Sequence, residues 1–344
     1  MAVYAVTGGA GFLGSYIVKL LINMDDVQEI RVIDVADAEH PHTSRVKDIK
    51  YIKCDINDYS KMREVLDGVN LIIHTAALVD VFGKYTDAEI MKVNYYGTQT
   101  VLAVCVDLGI KYFIYTSSME AVGPNKKGDP FIGHEYTQYD ISPGHAYAKS
   151  KHMAEQLVLS ANNSVIMNGA KMFTCCLRPT GIYGEGDNLT KTLYNQCKQN
   201  GNIMYRTVDD DVVHSRVYVG NVAWMHVLAA KYIQYPGLDI RGKAYFCYDY
   251  SPVCSYDTFN LLLMHPLGIR PGSRIPKWIL RMHAYKNDLK RILFKRHSIL
   301  NNYTLKISNT TFEVRTNLAE LDFNYVPIFD CDIAFERTTK WLDS

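Results

Sequence analysis

The stretch VYAVTGGAGFLG (residues 3–14), completed by EIRVID (residues 29–34), decides the fold class of this chain. Its β-branched start at residues 3–6 predicts a buried strand. Glycines follow at positions 8, 9, 11 and 14, and a helical spacing of apolar residues opens among them with Phe12 and Leu13. A second apolar run at residues 30–33 ends at Asp34. This order of strand, glycine-rich turn, helix, strand and acid is typical of a dinucleotide-binding βαβ unit.

Each part of this pattern has a physical reason to bind a dinucleotide. Glycine permits a tight turn and a close approach of the backbone to a pyrophosphate, and the helix N-terminus offers free N–H groups and a positive dipole end. Asp34 stands where a carboxylate can accept hydrogen bonds from both ribose hydroxyls, and it would repel a 2′-phosphate. A glycine-rich turn alone can occur without a ligand, but here the strand, the helix and the acid agree. We therefore predict NAD as the cofactor, in preference to NADP.

The composition excludes several classes of protein. The 344 residues suffice for one large or two modest domains, and a formal net charge of +1 gives no reason to expect nucleic acid as a partner. The eight cysteines show no metal-ligand spacing, which indicates reduced thiols and no metal site. The first strand begins near the N-terminus, and no stretch is apolar enough to span a bilayer. We therefore expect a cytoplasmic protein without a signal peptide or a transmembrane segment.

Polar residues follow several predicted strands at the point where each strand ends. Asp55 follows the run at residues 51–54, Thr75 follows residues 71–74, and two serines follow residues 112–115. Strands that alternate with helices imply a parallel sheet, whose ligands bind beyond the carboxyl ends of the strands. The predicted fold is therefore α/β, a Rossmann-type doubly wound parallel sheet. We predict an NAD-binding domain over residues 1–184 and a smaller, interleaved substrate-binding region over residues 185–344.

Tyr147 and Lys151 are four residues apart, so on a helix they lie on one face, one turn from each other. A phenol is a poor base at neutral pH, but a nearby ammonium and a positive nicotinamide ring would both lower its pKa. The sequence therefore predicts Tyr147 as the acid/base of a hydride transfer, with Lys151 tuning it and Ser118 orienting the substrate oxygen. The spacing alone would also suit an amphipathic surface helix. Between Ser117 and Ser118, we prefer Ser118 as the catalytic serine.

These motifs together resemble the extended short-chain dehydrogenase/reductase superfamily. The resemblance covers nearly the whole chain through TGGAGFLG, HTAA, Asn94, YTSS, the Tyr147–Lys151 pair, LRPTGIYG and YVGNVA. Longer segments resemble, more specifically, the 3β-hydroxysteroid dehydrogenase/Δ5→4 isomerase family, and the compact length is like that of its poxviral branch. These segments are IIHTAALVDVFG (72–83), YTSSMEAVGPN (115–125), TCCLRPTGIYGEG (174–186) and VYVGNVAW (217–224).

The resemblance implies NAD-dependent oxidation of a 3β-hydroxy-5-ene steroid to the 3-ketone, followed by migration of the double bond to the 4-ene. It also assigns the isomerisation to a tyrosine and an aspartate that match Tyr245 and Asp249 here, although a strand-end acid that caps a turn would explain Asp249 equally well. The expected cofactor contacts are Gly8, Gly11, Phe12, Leu13, Gly14, Asp34, Asp55, Ile56, Thr75, Ala76, Lys151 and Pro179.

The segment at residues 275–296 is strongly basic and departs from the long apolar segment of the animal enzymes. Its apolar residues recur at helical spacing, namely Trp278, Ile279, Met282, Leu289, Ile292 and Leu293. One hypothesis places this helix on an anionic membrane surface, as a weak peripheral contact that gathers a lipophilic substrate. The interpretation we favour is a helix packed over the steroid pocket with a solvated basic face. The superfamily's habit also suggests a homodimer.

Two alternative functions differ in the residues they require. The first alternative is a related enzyme, either a nucleotide-sugar epimerase or a sterol-carboxylate decarboxylase. An epimerase should present arginines to a diphosphate, and Arg206 and Arg216 are the nearest candidates. The apolar residues at 79–82 and around Tyr183 suit a steroid better. A non-catalytic NAD-binding regulator would be expected to lose Tyr147 or Lys151, and both are present.

Overall fold

The strand predicted at the start of the chain lies in the middle of a parallel sheet. The computed structural model describes residues 2–36, 44, 47–80, 83–238, 240–294 and 298–344. Within these residues it contains thirteen strands: β1 (Ala2–Thr7), β2 (Val27–Asp34), β3 (Asp48–Lys53), β4 (Leu71–His74), β5 (Tyr112–Thr116), β6 (Phe131–Gly133), β7 (Phe173–Pro179), β8 (Gly181–Tyr183), β9 (Ile203–Arg206), β10 (Arg216–Tyr218), β11 (Lys243–Cys247), β12 (Arg270–Arg274) and β13 (Phe312–Val314).

Seven strands form the central sheet in the order β11-β7-β5-β4-β1-β2-β3, and every neighbouring pair is parallel. The connection from β3 to β4 crosses β1 and β2, so the strand order reverses between β1 and β4. A crevice opens beyond the carboxyl ends of the strands at such a point, and dinucleotides bind there. The predicted Rossmann-type doubly wound sheet is confirmed.

Helices cover both faces of this sheet. In the described residues they are α1 (Phe12–Leu21), α2 (Tyr59–Val65), α3 (Asp87–Met91), α4 (Thr98–Leu108), α5 (Ala146–Ser160), α6 (Asn188–Gln199), α7 (Val219–Tyr232), α8 (Tyr256–Met264), α9 (Lys277–Phe294), α10 (Asn302–Ser308), α11 (Leu318–Phe323) and α12 (Cys331–Asp343). The apolar faces of α1, α7, α8, α11 and α12 share one core with the sheet, while α2, α4 and α5 pack on the opposite face. Alternate residues of each strand therefore enter different cores.

The C-terminal half returns to the first half at several places. β11 forms one edge of the central sheet, β13 pairs with β6, and α7 packs against α1. The division into a cofactor-binding domain over residues 1–184 and a substrate-binding region over residues 185–344 stays a prediction. No described helix is both long and apolar enough to cross a membrane. The eight cysteines are free thiols, and no three metal-ligating side chains converge in the described part of the chain.

Candidate active site

The glycine-rich turn joins β1 to α1 and leaves no room for a side chain at Gly8 or Gly14. Gly8 has a φ of +67°, and a Cβ on it would lie 2.7 Å from the Cα of Ala76 at the end of β4. A Cβ on Gly14 would overlap the carbonyl oxygen of Gly8. Gly11 is the N-cap of α1, and no side chain caps that helix. The first N–H groups of α1 thus remain available to an anionic ligand.

Asp34 lies beside this turn at the end of β2. Its carboxylate accepts hydrogen bonds from the backbone N–H groups of Ala10 and Ala36, each at 3.1 Å. A carboxylate has about four lone-pair sites, so both oxygens can accept further bonds from ribose hydroxyls. The sequence-predicted acid therefore holds the glycine-rich turn in place as well as facing the expected ligand site.

The other predicted cofactor contacts lie along the same edge of the sheet. Asp55 and the buried Ile56 follow β3, and the Asp55 carboxylate accepts 2.9 Å bonds from the backbone and side-chain nitrogens of Asn57. The Thr75 hydroxyl follows β4 and donates to the carbonyl of Thr7 at 2.8 Å. The structure brings together, at the carboxyl ends of β1 to β4 and β7 and at the start of α1, Gly8, Gly11, Phe12, Leu13, Gly14, Asp34, Asp55, Ile56, Thr75, Ala76 and Pro179.

Tyr147 and Lys151 lie in the first turns of α5, and both side chains are buried, with 6% and 3% of their surface exposed. His145 is the N-cap of this helix, and its Nδ1 accepts from the backbone N–H of Tyr147 at 3.3 Å. Burial of both residues excludes the alternative of an amphipathic surface helix. An ionisable pair is not placed in an apolar interior without a compensating role, because burial of charge is costly.

The side chain of Ser118 lies close enough to the Tyr147 phenol to affect its pKa. Burial raises the pKa of this phenol above its usual range, the negative charge of Glu120 raises it further, and Ser118 lowers it. The neighbouring Ser117 hydroxyl, also buried, has no hydrogen-bond partner among the described residues. Of the two serines that the sequence left open, Ser118 is the one beside Tyr147.

Lys151 reaches the end of β5 through the core. Its ammonium donates to the carbonyl of Thr116 at 2.8 Å and lies 5.0 Å from the ring centroid of Tyr115. Burial lowers the pKa of Lys151 to about 7, and Glu155, which forms a buried ion pair with Arg178 at 2.7 Å, opposes that shift. Lys151 is not among the groups that shift the pKa of Tyr147 in this structure. Its predicted tuning of the phenol stays a prediction.

Asn94 ties α5 to the end of β4. It lies in a π-helical turn at residues 92–97, between α3 and α4. Its side-chain nitrogen donates to Ser150 Oγ and to the Leu78 carbonyl, each at 3.0 Å, and its oxygen accepts from the Leu78 N–H at 2.7 Å. Single π-helical turns within helices are frequent at functional sites. This buried network fixes the position of the helix that carries Tyr147.

Tyr245 lies on the opposite face of the sheet from α5. It is fully buried on β11, pairs in register with Leu177, and shares its core with Phe323, 5.1 Å away between ring centroids. Its hydroxyl donates to Asp322 at 2.7 Å. The structure therefore does not bring Tyr245 and Tyr147 together.

Asp249 lies beyond β11, and its carboxylate organises the start of α7. One oxygen accepts from the Tyr218 N–H at 2.8 Å and from Asn221 Nδ2 at 3.0 Å, and the other accepts from the Ser251 N–H at 2.9 Å. This arrangement matches the alternative that the sequence left open, an acid that caps a turn at a strand end. The isomerase roles of Asp249 and Tyr245 stay predictions.

The candidate arginines of an epimerase site each interact with other protein groups. Arg216 is buried, donates to the Gly181 carbonyl at 2.9 Å, and lies against the rings of Tyr256 and Phe259. Arg206 instead pairs with Asp210 at 3.8 Å. Of the apolar stretch at residues 79–82, positions 81 and 82 lie outside the described residues.

Sequence reasoning missed two residues next to Tyr147. Glu120 follows Ser118 by two positions, and its carboxylate accepts a 2.6 Å hydrogen bond from the Tyr303 hydroxyl of α10. The Tyr303 ring stacks on His145 at 4.2 Å between ring centroids. A signal for Glu120 was its place in the YTSSME segment, but nothing in the sequence connected Tyr303 to it, since 183 residues separate the two.

The model of the 3-beta hydroxysteroid dehydrogenase/isomerase family matches residues 5–279 of this chain. The chain belongs to this family. The resemblance drawn from the motifs is thereby confirmed, and the match spans the glycine-rich turn, Ser118, Tyr147 and Lys151.

Relatives agree with this membership over the full length. The 3 beta-hydroxysteroid dehydrogenase/Delta 5→4-isomerase of Vaccinia virus (strain Western Reserve) is 81% identical over 343 residues, which cover 100% of this chain and 99% of the relative. The 3 beta-hydroxysteroid dehydrogenase type 7 of Mus musculus is 42% identical, covering 99% and 96%. Both alignments therefore extend beyond the glycine-rich turn into the C-terminal half of the chain.

Solved structures of other proteins share the fold. The epimerase Mth375 of Methanothermobacter thermautotrophicus has a TM-score of 0.76 at 17% identity, covering 99% of this chain and 92% of that one. MoeE5 in complex with UDP-glucose and NAD has a TM-score of 0.73 at 18% identity, covering 99% and 98%. At these identities the likeness shows the fold alone.

Proposed function

We propose that this protein is an NAD-dependent 3β-hydroxysteroid dehydrogenase that also moves the steroid double bond from the 5-ene to the 4-ene position. The observation that carries this proposal is the buried pair of Tyr147 and Ser118, with Lys151 one helical turn away, at the sheet edge that holds the glycine-rich turn. The family membership and the names of the Vaccinia and mouse relatives support a 3β-hydroxysteroid as the substrate.

The glycine-rich turn fits NAD. A Cβ on either Gly8 or Gly14 would fill the space beside the turn. The start of α1 has no capping side chain and is therefore suited to a pyrophosphate. Asp34 would hold the adenosine ribose and repel a 2′-phosphate, and Lys151 would hold the nicotinamide ribose. NAD, when bound, would supply the acceptor for the hydride that leaves C3 of the steroid.

The residues around Tyr147 perform the proton chemistry of the oxidation. Ser118 and Tyr147 would hold the 3β-hydroxyl, and Tyr147 would take its proton as the C3 hydride departs. In this structure, burial and the charge of Glu120 favour the neutral phenol. Phenolate therefore needs a compensating positive charge, which Lys151 supplies when protonated. Because burial lowers the pKa of Lys151 to about 7, this charge is lost as the pH rises through that value.

The first experiment uses the purified chain with NAD and pregnenolone, a 3β-hydroxy-5-ene steroid. NADH and the conjugated 4-ene-3-one are followed separately by their absorbance, and both should appear. Tyr147→Phe should slow NADH formation at least about a hundredfold, since a positioned acid/base contributes about 10²–10⁴ to such rates. The affinity for NAD should stay within about twofold. Normal turnover by this variant would contradict the proposed role of Tyr147, and absence of both products with NAD bound would contradict the proposed function.

We also propose that α9 lies on an anionic membrane surface. Its buried side is formed by Leu280 and Ala284, whereas a row of large apolar side chains at spacings of three and four residues is exposed. That row comprises Trp278, Met282, Tyr285, Leu289 and Leu293. The favoured expectation, a helix packed over the substrate pocket with a solvated basic face, stays a prediction. Ile279 is only half-buried, the side chain of Ile292 is not described, and positions 295 and 296 lie outside the described residues.

Charge and exposed apolar area on one helix favour binding to anionic lipid. Lys286 and Lys290, both exposed, flank the apolar row, and Trp278 and Leu293 expose 67% and 62% of their surface. Vesicles of phosphatidylserine and phosphatidylcholine should co-sediment the protein at low salt, while Leu289→Glu should reduce the bound fraction. Absence of binding to these vesicles at low salt would refute the proposal. The cytoplasmic location and the homodimer stay predictions, the latter testable by light scattering.

A further inference from the structure

Glu120 lies beside Tyr147 and is held there by two hydrogen bonds. One is made within its own turn, and the other comes from a helix far along the chain. Glu120 lies in a single 3₁₀ turn, Met119–Ala121, that follows β5 and packs on α5. The Glu120 N–H donates to Ser118 Oγ at 3.1 Å. Glu120 and the Ser118 hydroxyl, which is expected to orient the substrate, therefore belong to the same turn. From the other side, Tyr303 of α10 donates to the Glu120 carboxylate at 2.6 Å.

The side chains around Glu120 are largely aromatic, and none of the described residues forms a cationic partner for it. Within the described residues it forms no ion pair, and its charge acts on phenols from three different helices. Burial raises the pKa of Glu120 to about 7, and the bond from Tyr303 opposes that rise. The carboxyl can therefore both accept and return a proton near neutral pH. The titratable groups near it include Tyr147, His145 and His152 of α5 and its cap, Tyr256 of α8, and Tyr303 of α10. The same elements also carry Lys149, Lys151, Glu155, Asp257 and Lys306.

We propose that Glu120 is the acid/base of the isomerisation and carries the proton from C4 to C6 of the steroid. This inference rests on the proposed function, which places the 3-oxygen at Tyr147 and Ser118. C4 is one bond from C3, so the base that removes its proton must lie next to these two residues. Glu120 meets this condition, because its charge is felt by Tyr147 and its backbone is bonded to Ser118.

The steps balance without any further reagent. The 3-ketone acidifies the C4–H bond, the Glu120 carboxylate takes that proton, and the electron pair forms the dienolate whose oxygen lies between Tyr147 and Ser118. The 5-ene then accepts the same proton at C6 from the Glu120 carboxylic acid, and the carbonyl re-forms with the double bond at C4–C5. A carboxylate base combined with a tyrosine that holds the enolate oxygen is established chemistry for moving a proton next to a steroid ketone.

The residues that the resemblance assigned to this step are placed less well. Tyr245 lies across the sheet and is hydrogen-bonded to Asp322. Asp249 already accepts three hydrogen bonds at the start of α7, and its charge acts on Tyr183 and Tyr325 rather than on Tyr147. Of the three acids and phenols in question, only Glu120 is next to the 3-oxygen site.

The test separates the two reactions with Glu120→Gln. Supplied directly with a 5-ene-3-ketone steroid and NAD, this variant should form the 4-ene-3-one at least about a hundredfold more slowly than the unchanged chain. Its rate of NADH formation from pregnenolone should fall much less than its isomerase rate, since removal of a negative charge beside Tyr147 lowers the pKa of that phenol and favours phenolate. Glu135→Gln, a half-buried glutamate bonded to Phe246 N–H and Thr316, is the matched control and should keep both rates.

Isomerase activity of Glu120→Gln within threefold of the unchanged chain would overturn the inference, and so would an equal loss of both reactions. Tyr303→Phe provides a second measurement if Glu120→Gln does not fold. Loss of its hydrogen bond should raise the pKa of Glu120, so the isomerase pH profile should move to higher pH. An unmoved profile would overturn the inference. If the unchanged chain forms neither product, the proposed function itself has failed.

Discussion

Gly8→Ala tests whether the glycine-rich turn is shaped by the end of β4. Gly8 has a φ of +67°, a conformation that L side chains rarely adopt, and its new methyl would lie 2.7 Å from both the Cα and the backbone nitrogen of Ala76. The same methyl would lie 3.0 Å from Thr75 Oγ1. Backbone atoms cannot rotate away, so the turn and the end of β4 must separate.

The expected loss has two parts. The left-handed backbone alone costs alanine about 1–2 kcal/mol, and overpacking against rigid atoms adds about 1–3 kcal/mol. The total loss in free energy of unfolding should be about 2–5 kcal/mol. Separation of the turn from Thr75 and Ala76 also deforms the expected dinucleotide site. We expect the affinity for NAD to fall at least tenfold, which corresponds to about 1.4 kcal/mol.

Gly68→Ala supplies a matched control. Gly68 has a similar φ of +75°, but nothing lies within 4 Å of the position of its Cβ. It should therefore lose only the backbone part, about 1–2 kcal/mol, and keep its affinity for NAD. Urea unfolding gives the stabilities and calorimetric titration gives the affinities. Equal losses of stability in the two variants, or unchanged NAD affinity in Gly8→Ala, would refute this reasoning.

Two further predictions concern Asp34, the acid expected to hold the adenosine ribose, and the buried His74. Asp34→Ala removes the ribose acceptor and the bonds to Ala10 and Ala36, so the ratio of NADP to NAD dissociation constants should fall at least tenfold, and an unchanged ratio would contradict that role. Burial lowers the pKa of His74 to about 3, so the unfolded chain binds its proton more readily and stability is lost as the pH falls below about 6.5. Between pH 7 and pH 5 this costs up to about 2 kcal/mol, and urea unfolding of His74→Asn should show a correspondingly smaller loss.

The local order of strands and helices could be read from the sequence because it depends on short-range patterns. The run at residues 3–6, the glycines and the run ending at Asp34 each constrain only their own neighbourhood. The rule that ligands bind at the carboxyl edge of parallel strands then placed Asp34, Asp55 and Thr75 on one rim. The structure places them there.

The exposure of α9 could not be read in the same way. Its apolar residues have helical spacing, which predicts a helix but does not say which side meets the protein. The side that packs against the rest of the protein contains Leu280 and Ala284, whereas Trp278 and Leu289 remain exposed. Periodicity shows that a face is apolar, while only tertiary contacts show whether the protein covers it.

The sequence by itself determined the α/β class, the glycine-rich turn and the Tyr147–Lys151 pair, because each depends on residues within one or two elements. Tertiary structure alone decided that Ser118 lies beside Tyr147, that Tyr245 lies on the opposite face of the sheet, and that Tyr303 reaches Glu120. These contacts join residues that are far apart in the chain. The pleat of each strand determines which face a side chain lies on, and the path of α10 brings Tyr303 to Glu120. A charge or hydrogen bond acts through distance in space, so the environment that sets the pKa of a catalytic group exists only in the folded chain.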